Sequence, residues 1–167
     1  MKTIRTIGIK KILGIMVLAI VFGCNKDNED LVPWEIEVSQ LKAATIKYQD
    51  VDLATAEGFF DASGFVPNMG HHYILPSRID ETFELNKPEI LLYVPNPDSG
   101  MELVAVEYAI PIEDMENPGS PPEGFTGKDD VWEINPNLEQ WQLHVWIFRE
   151  NPEGIFKPHN PAVGSGN

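Results

Sequence analysis

Apolar residues recur every three or four positions early in the chain and every second position later, so the pattern predicts helices followed by strands. Across residues 33–48, Val38, Leu41, Thr45 and Tyr48 form one stripe, with Glu37, Gln40, Lys42 and Lys47 off it, as in an amphipathic helix. A second short helix is expected next, capped by Asp50 or Asp52 and stopped at Gly58. Residues 59–68 contain Gly and Pro and read as a loop; residues 69–75 then begin a strand. After a polar connection over 76–88, residues 90–94 and 102–110 read as strands joined by Pro97-Asp98-Ser99-Gly100, the clearest hairpin in the chain. Residues 111–137 are rich in Pro, Gly and acid and read as a long irregular loop, either a lid or a flexible excursion. Residues 141–149 are dense in aromatic and β-branched side chains and read as another strand. The prediction is one α+β domain over 34–163, with two short N-terminal helices on a mostly antiparallel sheet or partly closed barrel, and a loose tail over 164–167.

Two residues break the apolar runs. His144 lies between Leu143 and Val145, and Glu107 between Val106 and Tyr108. An imidazole or carboxylate among such neighbours must be paired, hydrogen-bonded or bound to a metal, because burying a bare charge is costly. Strand alternation puts Ala105 and Ala109 on the face of Glu107, leaving space above the carboxylate. Gln142, Trp146 and Phe148 share the face of His144. His71 and His72 are adjacent, so in an extended segment only one of them can face a given site. Two imidazoles and a carboxylate make a metal-binding set with open positions for water or substrate. Glu107, His144 and one histidine of the 71/72 pair are therefore candidate ligands of a divalent transition metal, with Tyr108 and Trp146 as accessory candidates. The alternative is a buried hydrogen-bonded cluster that only ties strands together, in a structural or ligand-binding module. His159, beside Asn160-Pro161, reads as an exposed loop histidine.

The ends and the charge narrow the setting. Lys2, Arg5, Lys10 and Lys11 precede an apolar run over 12–22 that is short for a membrane span, as in an export signal over 1–23. The run ends on Val21-Phe22-Gly23-Cys24, which resembles the bacterial lipobox and implies lipid on Cys24 and a membrane anchored through it. Residues 24–33 then read as an acidic tether, and its Lys26-Asp27 pair resembles a surface-export signal of Bacteroidetes lipoproteins. Loss of residues 1–23 removes four of the 12 basic residues and no acidic one, moving the net charge from −14 to −18. Nucleic acid and anionic lipid surfaces would repel such a chain. Cys24 is the only cysteine, so no intrachain disulfide and no thiol chemistry are available beyond it. No Gly-x-Ser-x-Gly elbow, phosphate-binding glycine loop or calcium-loop spacing occurs. Asp129-Asp130 and Glu113-Asp114 read as solvated loop acids.

Several short motifs occur in a fixed order: Met69-Gly70-x-His72-Tyr73, Pro88-Glu89-x-Leu91-x-Tyr93, Val106-Glu107-Tyr108, Leu143-His144-Val145-Trp146 and Asn151-Pro152-x-Gly154-x-Phe156. Over residues 43–163 this order resembles an uncharacterised family of exported bacterial (lipo)proteins. The resemblance implies a place in the bacterial cell envelope, periplasm-facing or on the outer surface, and imports no activity. It also implies that His72 rather than His71 is the motif histidine, completing the trio His72, Glu107 and His144. Relatives in that family carry a longer, cysteine-containing loop between Gly58 and Met69, which is short here.

Overall fold

The computed structural model describes residues 32–166, which lie in one compact unit running from Leu31 to Asn167. The proposed export signal, Cys24 and nearly all of the tether lie outside the described residues. No helix among the described residues is long and apolar enough to cross a membrane.

Helix α1 (Pro33–Thr45) opens on a proline, whose missing N–H costs nothing in a first helical turn. The Glu35 carboxylate accepts a hydrogen bond from the Val32 N–H at 3.0 Å. The predicted stripe is the buried one, with Leu41, Thr45 and Tyr48 all inaccessible. The helix tightens into a 3-10 turn over Ile46–Gln49, and a short helix α2 (Val51–Ala56) follows. Asp50 caps α2 by accepting from the Asp52 N–H, and Gly58 follows its end at φ +104°. The expected pair of short helices is therefore corrected to one 17-residue helical stretch and one short helix. Nothing breaks the chain at residues 45–49, and only the extended Asp50 interrupts it.

Among the described residues, six strands form one antiparallel sheet in the order β1-β2-β3-β4-β6-β5. They are β1 (Phe60–Val66), β2 (Gly70–Ile74), β3 (Ile90–Asn96), β4 (Gly100–Pro111), β5 (Glu133–Asn135) and β6 (Gln140–Val145). The sheet curls into half a barrel. The predicted β3–β4 hairpin is present, with Asn96 opposite Gly100 at its turn. Two strands lie where loops were expected. The first, β1, is an exposed edge strand whose polar residues and bulge between Asp61 and Phe65 hide its period. The second, β5, has only three residues. The last predicted strand stops at Val145 because β4 bulges at Val104. That carbonyl, displaced from its ladder, accepts from the N–H groups of Phe148 and Arg149 at 3.1 and 3.2 Å.

Both faces of the sheet are covered in part. On one, Leu91, Tyr93, Leu103, Tyr108 and Leu143 pack with Leu41, Tyr48 and Ala54 of the helical segment. The loop between β4 and β5 crosses this face: Phe125 is buried, and Thr126 donates from N and Oγ1 to the Glu37 carboxylate, both at 2.7 Å. It is a fastened cover of the helical side. The opposite face carries a smaller cluster of Ile90, Leu92, Val94, Ala105, Ala109 and Trp146. Its remaining positions form the candidate site.

Candidate metal centre

Strand pairing fixes the trio. Glu107 on β4 is directly opposite His144 on β6 and, across the other edge of β4, opposite Ile90 on β3. His72 on β2 is opposite Leu92, which is opposite Ala105. Residues directly opposite share a face, so all three side chains leave the sheet on the same side. Two strand spacings put β2 about 10 Å from β4, and the curl of the sheet lets His72 reach over β3. Ala105 and Ala109 flank the carboxylate on its own strand, and both are buried.

Glu107 Oε2 lies 3.5 Å from His72 Nε2 and 3.5 Å from His144 Nε2. These separations are long for hydrogen bonds. Glu107 Oε2 and His144 Nε2 are both buried and have no hydrogen-bond partner among the described residues. One ligand atom from each of the three residues falls within 4.8 Å of the others. Ligands at about 2.1 Å from a tetrahedral ion stand about 3.4 Å apart, close to the carboxylate–imidazole spacing here. The two imidazole rings are perpendicular, with centroids 6.2 Å apart.

Ser63 on β1 decides how His72 presents itself. Its hydroxyl donates to the Gly64 carbonyl at 2.6 Å, which uses its only proton. It therefore accepts from the His72 N–H at 3.0 Å and, at 3.1 Å, from Nδ1. With the proton on Nδ1, the lone pair of His72 is on Nε2, the atom that faces Glu107. A ring nitrogen tied to a neighbouring oxygen while the other binds is the usual support of a metal-ligating histidine.

The electrostatics favour uncharged groups. Burial, reinforced by the negative field of Glu89, pushes the Glu107 carboxyl up to about 8. Loss of solvent brings His72 down to about 4 and His144 to about 3. At neutral pH the site then holds a carboxylic acid and two neutral imidazoles. The His72 lone pair faces the carboxyl and His144 Nε2 is unpartnered among the described residues, so a cation entering between them needs to displace the Glu107 proton. A cavity of about 350 Å³ opens beside His72 and Glu107, lined by residues of all six strands. Residues from both edge strands line it, so this is the concave side of the curl.

The remaining sequence candidates lie elsewhere. His71 points to the other face, 2.8 Å from Asp61 and edge-on to Phe65. Tyr108 is on the helical face, where its hydroxyl donates to the Leu85 carbonyl at 2.5 Å. Trp146 shares the face of His144, but its Nε1 is spent on the Lys157 carbonyl at 2.6 Å. His159 is exposed, as expected. Ser63 and Asn135, both at the cavity, were missed because their edge strands read as loops. Glu89, buried and accepting from the Ala109 N–H at 3.1 Å, went unremarked as a carboxylate because it sits just outside the apolar run. Comparison with protein-family models, with curated proteins and with solved structures finds no match to this chain.

Proposed function

We propose that this chain holds a divalent transition metal through Nε2 of His72, Nε2 of His144 and the carboxylate of Glu107. One observation carries the reading: two buried polar atoms without partners, Glu107 Oε2 and His144 Nε2, converge with a third whose tautomer is already set for ligation. Leaving such atoms unsatisfied costs about 1–3 kcal/mol each, a cost that a bound cation removes. Three protein ligands leave a fourth position toward the cavity, the arrangement of catalytic rather than closed structural sites. A metal there supplies Lewis acidity and lowers the pKa of bound water. The chain's own contribution is an apolar wall that limits solvent and a set of ligands fixed by strand register.

The setting belongs to the same proposal. Residues 1–23 act as an export signal, and lipid on Cys24 anchors the domain in the bacterial cell envelope. The basic start, the short apolar run and the Gly23-Cys24 junction support this. Cys24→Ser should abolish fatty-acid incorporation and release the chain into the soluble fraction; equal membrane retention contradicts the anchor.

Elemental analysis of protein purified without added metal tests the site. About one transition-metal ion per chain is expected, lost in His144→Ala. A raised Glu107 pKa also suits a second reading, in which a protonated carboxyl rests against neutral imidazoles and only ties β2, β4 and β6 together. In that case metal is absent, chelators leave the melting temperature unchanged, and His144→Ala lowers it.

A further inference from the structure

The cavity beside the trio has Val66, Met69, Ile74, Ile90 and Leu138 as apolar lining, together with His72 and Glu107 of the trio. Gln142 also lines it, two residues before His144 on the same face of β6. Its amide orientation follows from its neighbours. Asn135 Oδ1 accepts from the N–H groups of Asn137 and Leu138, so Asn135 Nδ2 must face Gln142, where it donates to Oε1 at 3.1 Å. Gln142 therefore has Oε1 occupied and turns Nε2 elsewhere; that nitrogen donates to no other group among the described residues. A donor without a partner among the described residues thus sits on a cavity-lining side chain about 7 Å along the strand from the proposed ligand His144.

Charge balance selects the ligand. A divalent ion with one carboxylate and two neutral imidazoles carries one net positive charge. No Lys or Arg lines the cavity. A singly charged anion neutralises the site, whereas a doubly charged phosphate would leave a buried negative charge with no partner. The walls are mostly hydrocarbon, and the volume of about 350 Å³ is at the small end of ligand sites. We propose, building on the metal reading above, that this cavity binds a small aliphatic monocarboxylate. Its carboxylate takes the open metal position and the Gln142 Nε2 donor. Its tail lies along Met69, Ile74, Ile90 and Leu138. Leu138, 57% exposed at the β5–β6 turn, is the solvent-facing part of that wall.

Titration of the zinc-loaded protein with acetate, butyrate, hexanoate and octanoate, followed by calorimetry, tests this. Affinity should rise about fourfold for each buried CH2 until the cavity is full. Gln142→Leu should weaken every member by a similar factor, about two- to tenfold, and leave the chain-length slope intact. Leu138→Asn should flatten the slope and leave acetate unaffected. The zinc content of each sample is measured alongside, so the two readings fail separately. Zinc retained with no dependence on chain length, with phosphate binding as tightly as acetate, or with octanoate binding equally to zinc-free protein, overturns the carboxylate proposal alone. A protein that takes up no zinc overturns both.

Discussion

Ser63 gives up its only proton to a carbonyl and spends both acceptor sites on His72. Ser63→Ala should therefore leave the sheet intact and release the ring, weakening metal binding by about 10- to 100-fold. Calorimetric metal titration measures this, and an unchanged affinity would mean that the ring is held by packing alone. Glu107→Gln keeps shape and removes charge; it should retain the fold and lose stoichiometric metal, as read by elemental analysis. At this scale the sequence was legible where contrast was high. Glu107 and His144 stand out because each is one ionisable group among aliphatic neighbours, and both are buried as expected. Ser63 gave no such signal, since a serine among Asp61, Ala62 and Gly64 looks like any solvated turn. The choice of His72 over His71 came from the order of motifs; alternation said only that one of the two would face the site.

The site depends on elements that meet in register, and two positions show how. Gly70 opens β2 at φ +99°, and a Cβ there would collide with the Tyr93 carbonyl oxygen on β3. Gly70→Ala should cost at least about 2 kcal/mol and displace His72 together with its strand, so stability and metal binding fall together in melting and metal titrations. Tyr93 acts on the other face. Its hydroxyl donates to the Tyr48 carbonyl at 2.6 Å and pins the 3-10 turn to the sheet. Tyr93→Phe should lower stability by about 1 kcal/mol in denaturant melts and leave metal affinity unchanged. Periodicity exposed the elements with a regular apolar pattern and hid the two edge strands. The β3–β4 hairpin and the helical stripe were legible because many residues repeat one pattern. Edge strands β1 and β5 were not, since β1 is exposed over its first four residues and bulged, and β5 spans three residues. The end of β6 at Val145 was hidden too, because it depends on a bulge in a different strand.

For the whole molecule, protonation of the concave site makes stability depend on pH. Between 4.5 and about 8 the folded chain keeps a proton on Glu107 that the unfolded chain has released, and Glu89 behaves likewise up to about 7. Both carboxyls therefore favour the folded state less as pH rises. His72 and His144 act in the opposite sense below 6.5, where the unfolded chain takes up protons that the folded imidazoles refuse until about 4 and 3. The two pairs offset each other from about 4.5 to 6.5. Above 6.5 only the carboxyls remain, so metal-free protein should lose melting temperature from pH 6.5 to 8. A saturating divalent metal replaces the Glu107 proton and should remove most of that decline; a decline that survives saturation would separate the metal from Glu107. The curl that brings β2 over β3 toward β4 could not be read from the chain, because it arises from twist and bulges summed over six strands. The central claim is that His72, Glu107 and His144 together ligate one ion. X-ray absorption at the zinc edge of zinc-loaded protein tests it most directly. The expected shell has two imidazole nitrogens at about 2.0–2.1 Å and a carboxylate oxygen at about 2.0–2.2 Å, with one imidazole lost in His72→Ala. A shell of oxygens alone, without imidazole scattering, would contradict it.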